Sequence, residues 1–269
     1  SATISRDGEH WYISFCAETA APADTRRERD AQTIAFEDEA ARLECAVGGA
    51  IGIDWGIDQP LTFSTGEVIQ MPRISAAERD RHAFLQRRIA TKKPGSANRR
   101  KAVAKLGAFT RYIRNRRLDA RHKITTDLAK NHRLIVIEDL QVANMMGSAR
   151  GTVEDHGKNV AQKAGLNRSI LDLSPALFRR LLADKCEKFR SQLVVVPAHY
   201  TSRECSCCGH TAKANRPARD RFSCVACGHT ENADVNAAKV ILARGIASIS
   251  HEAGRASNVW RSRPDATLG

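Results

Sequence analysis

The chain has 269 residues, of which 42% are hydrophobic and 27% charged, and it carries a formal net charge of +13 with a pI near 9.7. This composition is typical of a folded globular protein that is long enough for one large domain or two ordinary ones. It excludes a membrane-spanning helix, because no run approaches about 18 uninterrupted apolar residues. The N-terminus also lacks the charged and apolar regions of a secretory signal, so we expect a cytoplasmic protein without a membrane partner.

The first part of the chain has the pattern of strands separated by turns. Alternating apolar and polar residues predict a strand over 9–18, whereas 33–45 fits a strand or a short helix equally well. The apolar run Ala50–Asp54 predicts a buried strand, and 61–71 predicts a hairpin around a Thr-Gly turn. Because the chain starts without Met inside a strand-like pattern, we interpret it as the C-terminal part of a longer protein.

The middle of the chain is helical and strongly basic. Helical spacing extends over 75–130 with a break at 94–96, and Ser75 with Glu78 forms a capping-box pattern at its start. Between residues 79 and 123 there are 16 Lys or Arg residues against two acidic ones. A helical pair of this charge density predicts a phosphate-binding surface and a polyanionic partner. The alternative is a solvated helical face that happens to be basic.

The last part of the chain returns to the pattern of a buried parallel sheet. Short apolar runs predict strands over 134–140 and 193–197, and the polar, Gly-containing segment 144–170 between them predicts a mobile loop. Ser174 is expected to cap a helix over Pro175–Phe189, with Pro in its first turn. A final helix should run from Ala233 to about Arg244 and be followed by a frayed polar tail.

Four cysteines are spaced as the ligands of one zinc ion. They form two Cys-x2-Cys pairs that are separated by 15 residues, a spacing that falls inside the range of zinc ribbons. The four are Cys205, Cys208, Cys224 and Cys227. Four thiolates satisfy a tetrahedral Zn²⁺ ion and leave no open position, so the zinc would be structural. We expect Cys207 to point away from the ion.

The remaining thiols and the neighbouring histidines receive simpler interpretations. Four cysteines show no disulfide spacing and, without a secretory signal, are expected to be reduced. They are Cys16, Cys45, Cys186 and Cys207. His210 and His229 each follow a Cys-Gly pair, but because four cysteines already satisfy the zinc, loop or phosphate contacts are expected for both histidines.

Three acidic residues lie at the ends of predicted core elements. Asp54 and Glu138 end apolar strands, and Asp234 lies in the first turn of the last helix. Carboxylates at the C-terminal ends of neighbouring strands project into the crevice where α/β sheets bind ligands. Three hard oxygen ligands, completed by phosphate oxygens, are what two Mg²⁺ ions need for phosphodiester hydrolysis. We therefore predict a catalytic magnesium site at Asp54, Glu138 and Asp234.

Each of these residues also has a plainer interpretation. Asp54 could cap the turn at Gly56, and Asp234 could be the N-cap of the last helix, where Asp is favoured. Glu138 and Asp139 are neighbours on one strand and so face opposite sides, which allows only one of them to join the site. Glu138 is preferred because it extends the strand.

The order of these motifs resembles the TnpB family, the IS200/IS605 OrfB transposases that are related to the Cas12 nucleases. The resemblance extends from about residue 5 to 245, and five segments carry it. They are Gly52–Gly56, Ile135–Leu140, Asn167–Asp172, Thr201–Gly209 and Asn232–Ala238. It implies an α/β fold in which an RNase H-like (RuvC) mixed sheet carries the basic helical hairpin and an inserted zinc ribbon. It also implies Asp54, Glu138 and Asp234 as the catalytic residues.

The resemblance further implies how the chain is divided. Residues 1–46 would be the end of a wedge-like β segment and 47–202 the nuclease core, with 75–130 as a helical insertion. The zinc ribbon would occupy 203–230, the final core helix 231–245 and a flexible tail 246–269. Family members are usually longer at the N-terminus, so this chain is a fragment, a naturally short member, or one whose missing part lies on another chain.

The function that the resemblance implies is RNA-guided cleavage of DNA beside a short motif. The partners would be a guide RNA and the target DNA, and the cofactors would be Mg²⁺ and one Zn²⁺. The protein would be cytoplasmic in a prokaryote and would associate with the nucleoid during its action. One alternative is guide-independent strand transfer, although the sequence has no His-hydrophobe-His motif with a Tyr nucleophile. Another is a module that binds nucleic acid without cutting it.

Overall fold

A computed structural model of the chain describes residues 2–8, 10–15, 49–150 and 157–261. The predicted element over 33–45, Cys16 and Cys45 lie outside these residues. The chain divides into two units, one of Ser1–Pro22 with Met71–Ile124 and one of Ala23–Gln70 with Thr125–Gly269. None of the helices within the described ranges has the length and apolarity to cross a membrane.

The first unit contains a strand pair and most of two helices. Strands β1 (Ala2–Asp7) and β2 (His10–Phe15) are antiparallel, and β1 adds to the single strand predicted here. Helix α1 (Ala76–Ala90) begins with the predicted capping box between Ser75 and Glu78. Helix α2 (Ala97–Asn131) follows a turn.

Contacts between α1 and α2 involve the residues of the basic segment itself. Glu78 at the start of α1 accepts a 2.6 Å bond from Arg116, and Arg99 near the start of α2 donates to the Ile89 carbonyl at the end of α1. Because the start of α1 meets the later part of α2 and its end meets the beginning of α2, the two helices run in opposite directions.

The second unit is built on a mixed five-stranded sheet, as predicted. Its strands are β3 (Ala50–Asp54), β4 (Leu61–Phe63), β5 (Val68–Ile69), β6 (Leu134–Glu138) and β7 (Gln192–Val196). They are ordered β5-β4-β3-β6-β7, with β3, β6 and β7 parallel and the β4–β5 hairpin antiparallel. Strands β3 and β6 are almost wholly buried, which accounts for their continuous apolar runs.

The last helix, α6 (Ala233–Arg261), packs on strands β3, β4, β6 and β7. Two glycines permit its close approach: a Cβ on Gly52 would lie 2.7 Å from the Cβ of Leu242, and one on Gly245 would overlap the side chain of Val136. Val136 and Ile241 are fully buried in the resulting core. Because these two positions carry no side chain, the backbones of α6 and of the sheet can lie close together. The start of α6 is thereby placed beside the C-terminal ends of β3 and β6.

Two predictions about the later elements were wrong in extent. Helix α6 does not end near Arg244 but continues to Arg261, because Ile246 and Ile249 add to the apolar face that covers the sheet. Part of the predicted mobile loop over 144–170 is helical, in α3 (Val142–Met145) and α4 (Val160–Leu173), while 151–156 lie outside the described residues. Helix α4 buries Ile170 and Leu173, two apolar contacts that a composition-based interpretation overlooked.

Helix α5 (Pro175–Phe189) confirms the predicted helix and its N-terminal proline. Ser174, however, has a left-handed backbone with φ of 51° and makes no side-chain cap to the helix. Its hydroxyl instead donates to the Leu171 carbonyl at 2.6 Å, so Ser174 links the end of α4 to the start of α5.

Candidate metal and nucleic-acid site

Asp54 and Glu138 end neighbouring parallel strands at the same edge of the sheet. Ile53 of β3 is in register with Ile137 of β6, and each acidic residue follows directly as the last residue of its strand. Asp234 is the second residue of α6, the helix that packs on both strands. The fold thus gathers the three carboxylates that the sequence singled out, which we name the carboxylate site.

The carboxylate site concentrates negative charge in a buried place. Burial, together with the nearby charges of Glu138 and Asp234, raises the pKa of Asp54 to about 8, against the opposing pull of the Arg216 guanidinium. Burial also raises the pKa of Glu138, although a hydrogen bond from Thr201 and the charge of Arg244 oppose that rise. A bound cation would relieve this repulsion, which is the electrostatic setting of a metal-binding carboxylate group.

The spacing of the three carboxylates differs from that of a single coordination shell. Within the described part of the chain, only the four ribbon cysteines have ligand atoms that all lie within 4.8 Å of one another. Ligands of one octahedral Mg²⁺ ion would be at most about 4.2 Å apart, twice the metal–oxygen distance. At least one pair of the three carboxylates is therefore more than 4.8 Å apart, which is wider than the ligands of one ion.

Two polar residues that sequence reasoning did not assign contact the carboxylate site. The Thr201 hydroxyl donates to Glu138 Oε1, and the Arg216 guanidinium contacts Asp234 Oδ1 at 3.3 Å. Tyr200, directly before Thr201, has a left-handed backbone with φ of 64°. Such a conformation is costly for a residue with a side chain and is typical of functional segments. Thr201 lies in a motif segment, but Arg216 carries no sequence signal because only the folded loop brings it to Asp234.

Neighbouring acidic residues do not join the site. Asp139 pairs with Arg179 of α5 at 2.6 Å, which agrees with the prediction that only one of Glu138 and Asp139 faces the carboxylate site.

The N-cap of α6 is Asn232 and not Asp234. Asn232 accepts hydrogen bonds from the backbone N–H groups of Asp234 and Val235 at 3.0 and 3.2 Å. Asn232 therefore caps α6, and the Asp234 carboxylate is left to pair with Arg216.

The four predicted cysteines converge on one point and fit a zinc ion. Cys205 Sγ lies 3.7 Å from Cys227 Sγ, and Cys208 Sγ lies 3.6 Å from Cys224 Sγ. Sulfurs that surround Zn²⁺ tetrahedrally at about 2.3 Å would be about 3.8 Å apart, so the geometry matches. Backbone N–H groups, that of Cys227 first, lower the pKa of Cys224 to about 6, whereas burial raises the pKa of Cys205 and, against a backbone hydrogen bond from His210, the neighbouring cysteines raise that of Cys208. Cys207 is exposed and outside the cluster.

Both Cys-x2-Cys pairs adopt the same turn. In each turn the first cysteine accepts a bond from the glycine N–H and donates its own N–H to the carbonyl of the following histidine. Gly209 and Gly228 both have φ of 74°, a value that favours glycine. This repetition explains why a glycine and a histidine follow each pair: His210 and His229 supply backbone acceptors. The Nε2 atom of His229 lies 3.5 Å from Glu231 Oε2.

Two fully buried asparagines join the cysteine cluster to the rest of the unit. Asn215 donates to the carbonyls of Arg203 and His210 and accepts from Val225 N–H, so it links the two turns. Asn236 of α6 accepts from Ser206 N–H at 3.0 Å and donates to the Glu204 carbonyl at 2.8 Å. Asn236 thereby fixes the first turn on the same helix that carries Asp234.

Two family models match most of this unit and its surroundings. The model described as "Probable transposase" (OrfB_IS605) matches residues 37–149, and "Cas12f1-like, TNB domain" matches residues 176–241. The first match spans the strand that ends in Asp54 and the strand that ends in Glu138, and the second spans the cysteine cluster and Asp234.

Relatives match along nearly the whole chain. The "Putative RNA-guided DNA endonuclease InsQ" of Escherichia coli (strain K12) is 39% identical over 250 residues, which are 93% of this chain and 58% of that protein. A "Putative RNA-guided DNA endonuclease" of Streptomyces pristinaespiralis is 33% identical over 92% of this chain and 53% of its own length.

A solved structure, described as "Cryo-EM structure of the Cas12f1-sgRNA-target DNA complex", matches 89% of this chain and 55% of its own with a TM-score of 0.42 and 18% identity. The chain spans little more than half the length of the curated relatives it matches. From the two family models and these relatives together, the chain belongs to the TnpB (IS605 OrfB) family.

Proposed function

We propose that this chain carries the DNA-cleaving centre of an RNA-guided DNA endonuclease encoded by a transposable element. Its two relatives above are named for RNA-guided DNA cleavage. The observation that carries the proposal is the carboxylate site: Asp54, Glu138 and Asp234 meet at the C-terminal edge of a mixed sheet, and burial together with the charges of the other two raises the pKa of Asp54. Buried repulsion of this kind costs stability and is typical of a catalytic site rather than a structural one.

The carboxylate site suits divalent metal ions. Asp54, Glu138 and Asp234 would hold them. When bound, two Mg²⁺ ions would supply an activated water and a stabilised 3′ leaving oxygen for hydrolysis of a DNA phosphodiester. The raised pKa of Asp54 implies that metal binding displaces a proton from this carboxyl group.

The residues around the carboxylates have distinct roles in this proposal. Thr201 fixes the orientation of Glu138, and Arg244 holds the segment that carries Thr201 by donating to the carbonyls of Pro197 and His199 at 2.9 and 3.0 Å. Arg216 balances the charge of Asp234 and would be free to contact a substrate phosphate once cations take over that role. Phosphate contacts of this kind position the strand without reading its sequence.

The remaining segments are assigned from their chemistry. Residues 47–202 would form a RuvC-like nuclease core with the basic helices of 75–130 inserted, 1–46 the end of a wedge-like segment, 203–230 a ribbon around one structural zinc ion, and α6 the last core helix. Helices α1 and α2 would contact the phosphates of a guide RNA and its target DNA. Base pairing would then supply the sequence specificity, while the protein holds the backbone.

The experiment is to purify the full chain with the RNA that it retains, sequence that RNA, and measure Mg²⁺-dependent cleavage of matching DNA. Asp54→Asn should abolish cleavage. Asp184→Asn, which removes an exposed carboxylate from α5, is the matched control and should retain it. Wild-type cleavage that survives Asp54→Asn would reject the carboxylate site as the catalytic centre.

The two other functions predict different results in the same assay. Cleavage or strand joining that needs no RNA would favour the guide-independent strand-transfer protein. Binding of RNA or DNA without cleavage at any Mg²⁺ concentration would favour the non-cleaving module. Neither result is expected from the charge arrangement at the carboxylate site.

A further inference from the structure

A cavity of about 190 Å³ lies directly beside the carboxylate site. Its walls are mostly apolar and come from β3, β6 and the start of α5, with Glu138 and Arg179 as the charged members of the lining. Trp55 and Phe178 supply aromatic walls, and Pro175 and Ala176 lie at the α5 side. None of the roles proposed for the cysteine cluster, the basic helices or the carboxylate site uses this cavity.

The position of the cavity ties it to the chemistry of the carboxylates. Glu138 belongs both to the carboxylate site and to the cavity lining, and Trp55 follows Asp54 directly in the chain. A nucleic-acid strand whose phosphate lay at the carboxylates would therefore bring an adjacent nucleotide to the mouth of the cavity. The ligand of the cavity would thus be a part of the same nucleic-acid strand that binds at the carboxylate site.

The lining has the chemistry that an unstacked nucleobase requires. The rings of Trp55 and Phe178 meet edge to face with centroids 5.1 Å apart and planes inclined by 62°, so the buried Phe178 supports the indole from one side. Base–aromatic stacking is the main sequence-tolerant interaction of proteins with single strands. Arg179, which Asp139 holds at 2.6 Å, brings a fixed guanidinium to the lining for a phosphate or base edge.

We propose that this cavity binds one nucleobase of the DNA strand that lies across the carboxylate site, with Trp55 as its stacking surface. The cavity is too small for a peptide segment with several side chains, and its single aromatic pair suits one planar ring system. Base capture would fix the register of the neighbouring phosphodiester at the carboxylates. The inference rests on the proposed function, since it assumes that a DNA strand reaches the carboxylate site.

A binding experiment tests the cavity without cleavage. The full chain carrying Asp54→Asn would be titrated with a single-stranded 12-nucleotide oligonucleotide that contains 2-aminopurine, with binding followed by anisotropy and base stacking by 2-aminopurine quenching. Adding Trp55→Ala should abolish the quenching and weaken binding about tenfold, within the range measured for loss of one stacked base. Trp55→Phe should retain most of both. Trp11→Ala, which removes an indole that is 65% exposed on β2, is the control and should retain the quenching.

A second variant blocks the cavity without removing its aromatic wall. Ala176 is exposed at the surface and lines the cavity, so Ala176→Met should fill the space while leaving the fold intact. We expect the same loss of quenching as with Trp55→Ala. Unchanged quenching and affinity in both Trp55→Ala and Ala176→Met, each shown to be folded by its thermal transition, would overturn the assignment.

A scan of substrates separates this inference from the proposed function. Matching DNA with one abasic nucleotide at successive positions should be cut about tenfold more slowly at a single position beside the cut, and Trp55→Ala should show no further loss there. A flat scan with normal cleavage by the wild type rejects base capture and leaves the nuclease proposal standing. No cleavage of any matching DNA by the wild type rejects the nuclease proposal, while the 2-aminopurine result still decides whether the cavity takes a base.

Discussion

Replacing Asp54 by Asn should stabilise the metal-free protein at neutral pH even though it abolishes cleavage. In the unfolded chain this carboxyl group titrates near 3.8, whereas in the folded protein burial and the charges of Glu138 and Asp234 raise its pKa to about 8. Between those two values the folded state keeps a proton that the unfolded state has lost. Unfolding then releases a proton, so stability must fall as the pH rises from about 4 to about 8.

The size of the effect follows from the same two values. The interval between 3.8 and about 8, taken at about 1.36 kcal/mol per pH unit, sets a ceiling of about 6 kcal/mol at and above pH 8. Effective dielectric constants near 20 describe buried charges better than those of dry protein, so we expect on the order of 2 kcal/mol. Asn is nearly isosteric with Asp and carries no charge, so the stability of the variant should not fall with pH in this way. Its free energy of unfolding should therefore exceed that of the wild type by an amount that grows with rising pH.

The assay is urea unfolding of wild type, Asp54→Asn and the control Asp184→Asn at pH 5, 6, 7 and 8. The buffers contain neither Mg²⁺ nor a chelator, because a chelator would remove the metal from the cysteine cluster. The difference between Asp54→Asn and wild type should grow over this range, while Asp184→Asn stays within about 0.5 kcal/mol of wild type. Adding Mg²⁺ should stabilise the wild type and leave Asp54→Asn nearly unaffected. A variant that is destabilised equally at every pH would refute the reasoning.

Three further substitutions, two of them with a matched control variant, test the packing and the cysteine cluster. Gly52→Ala should cost on the order of 3 kcal/mol in urea unfolding because its Cβ would overlap α6, whereas Gly107→Ala, in an open part of α2, should stabilise by about 0.5–1 kcal/mol. Elemental analysis should find about one zinc ion per chain in the wild type and in Cys207→Ser, and none in Cys205→Ser. Asn236→Ala should cost about 2 kcal/mol and expose the first cysteine turn to limited proteolysis, since it removes two hydrogen bonds from a buried position.

The parts of the fold that could be predicted are those that local physics determines. Apolar runs that end in Asp54 and Glu138 identify parallel strands because both faces are buried, and parallel strands place their ends at one edge. The spacing of the cysteines identifies a metal cluster because each Cys-x2-Cys-Gly turn folds the same way by itself. The capping box at Ser75 is likewise a property of four consecutive residues.

The parts that could not be predicted depend on contacts between distant segments. Helix α6 extends beyond Arg244 because Ile246 and Ile249 meet a sheet that the sequence cannot place. Arg216 reaches Asp234 across a separation of 18 residues, which holds the second cysteine pair and the antiparallel strands Arg221–Ser223 and Thr230–Asn232. The cavity beside Glu138 is formed by three separate elements, and the sequence pattern of any one of them does not predict it.

The cysteine cluster and the carboxylate site are linked through one helix. Asn232 caps α6, Asp234 supplies a carboxylate from its first turn, and Asn236, two residues later, fixes the first cysteine turn. The loop between the two cysteine pairs returns Arg216 to Asp234. Loss of the metal from the cluster would therefore release both the anchor of the helix start and the counter-charge of Asp234. A structural ion could in this way govern the electrostatics of a site to which it contributes no ligand.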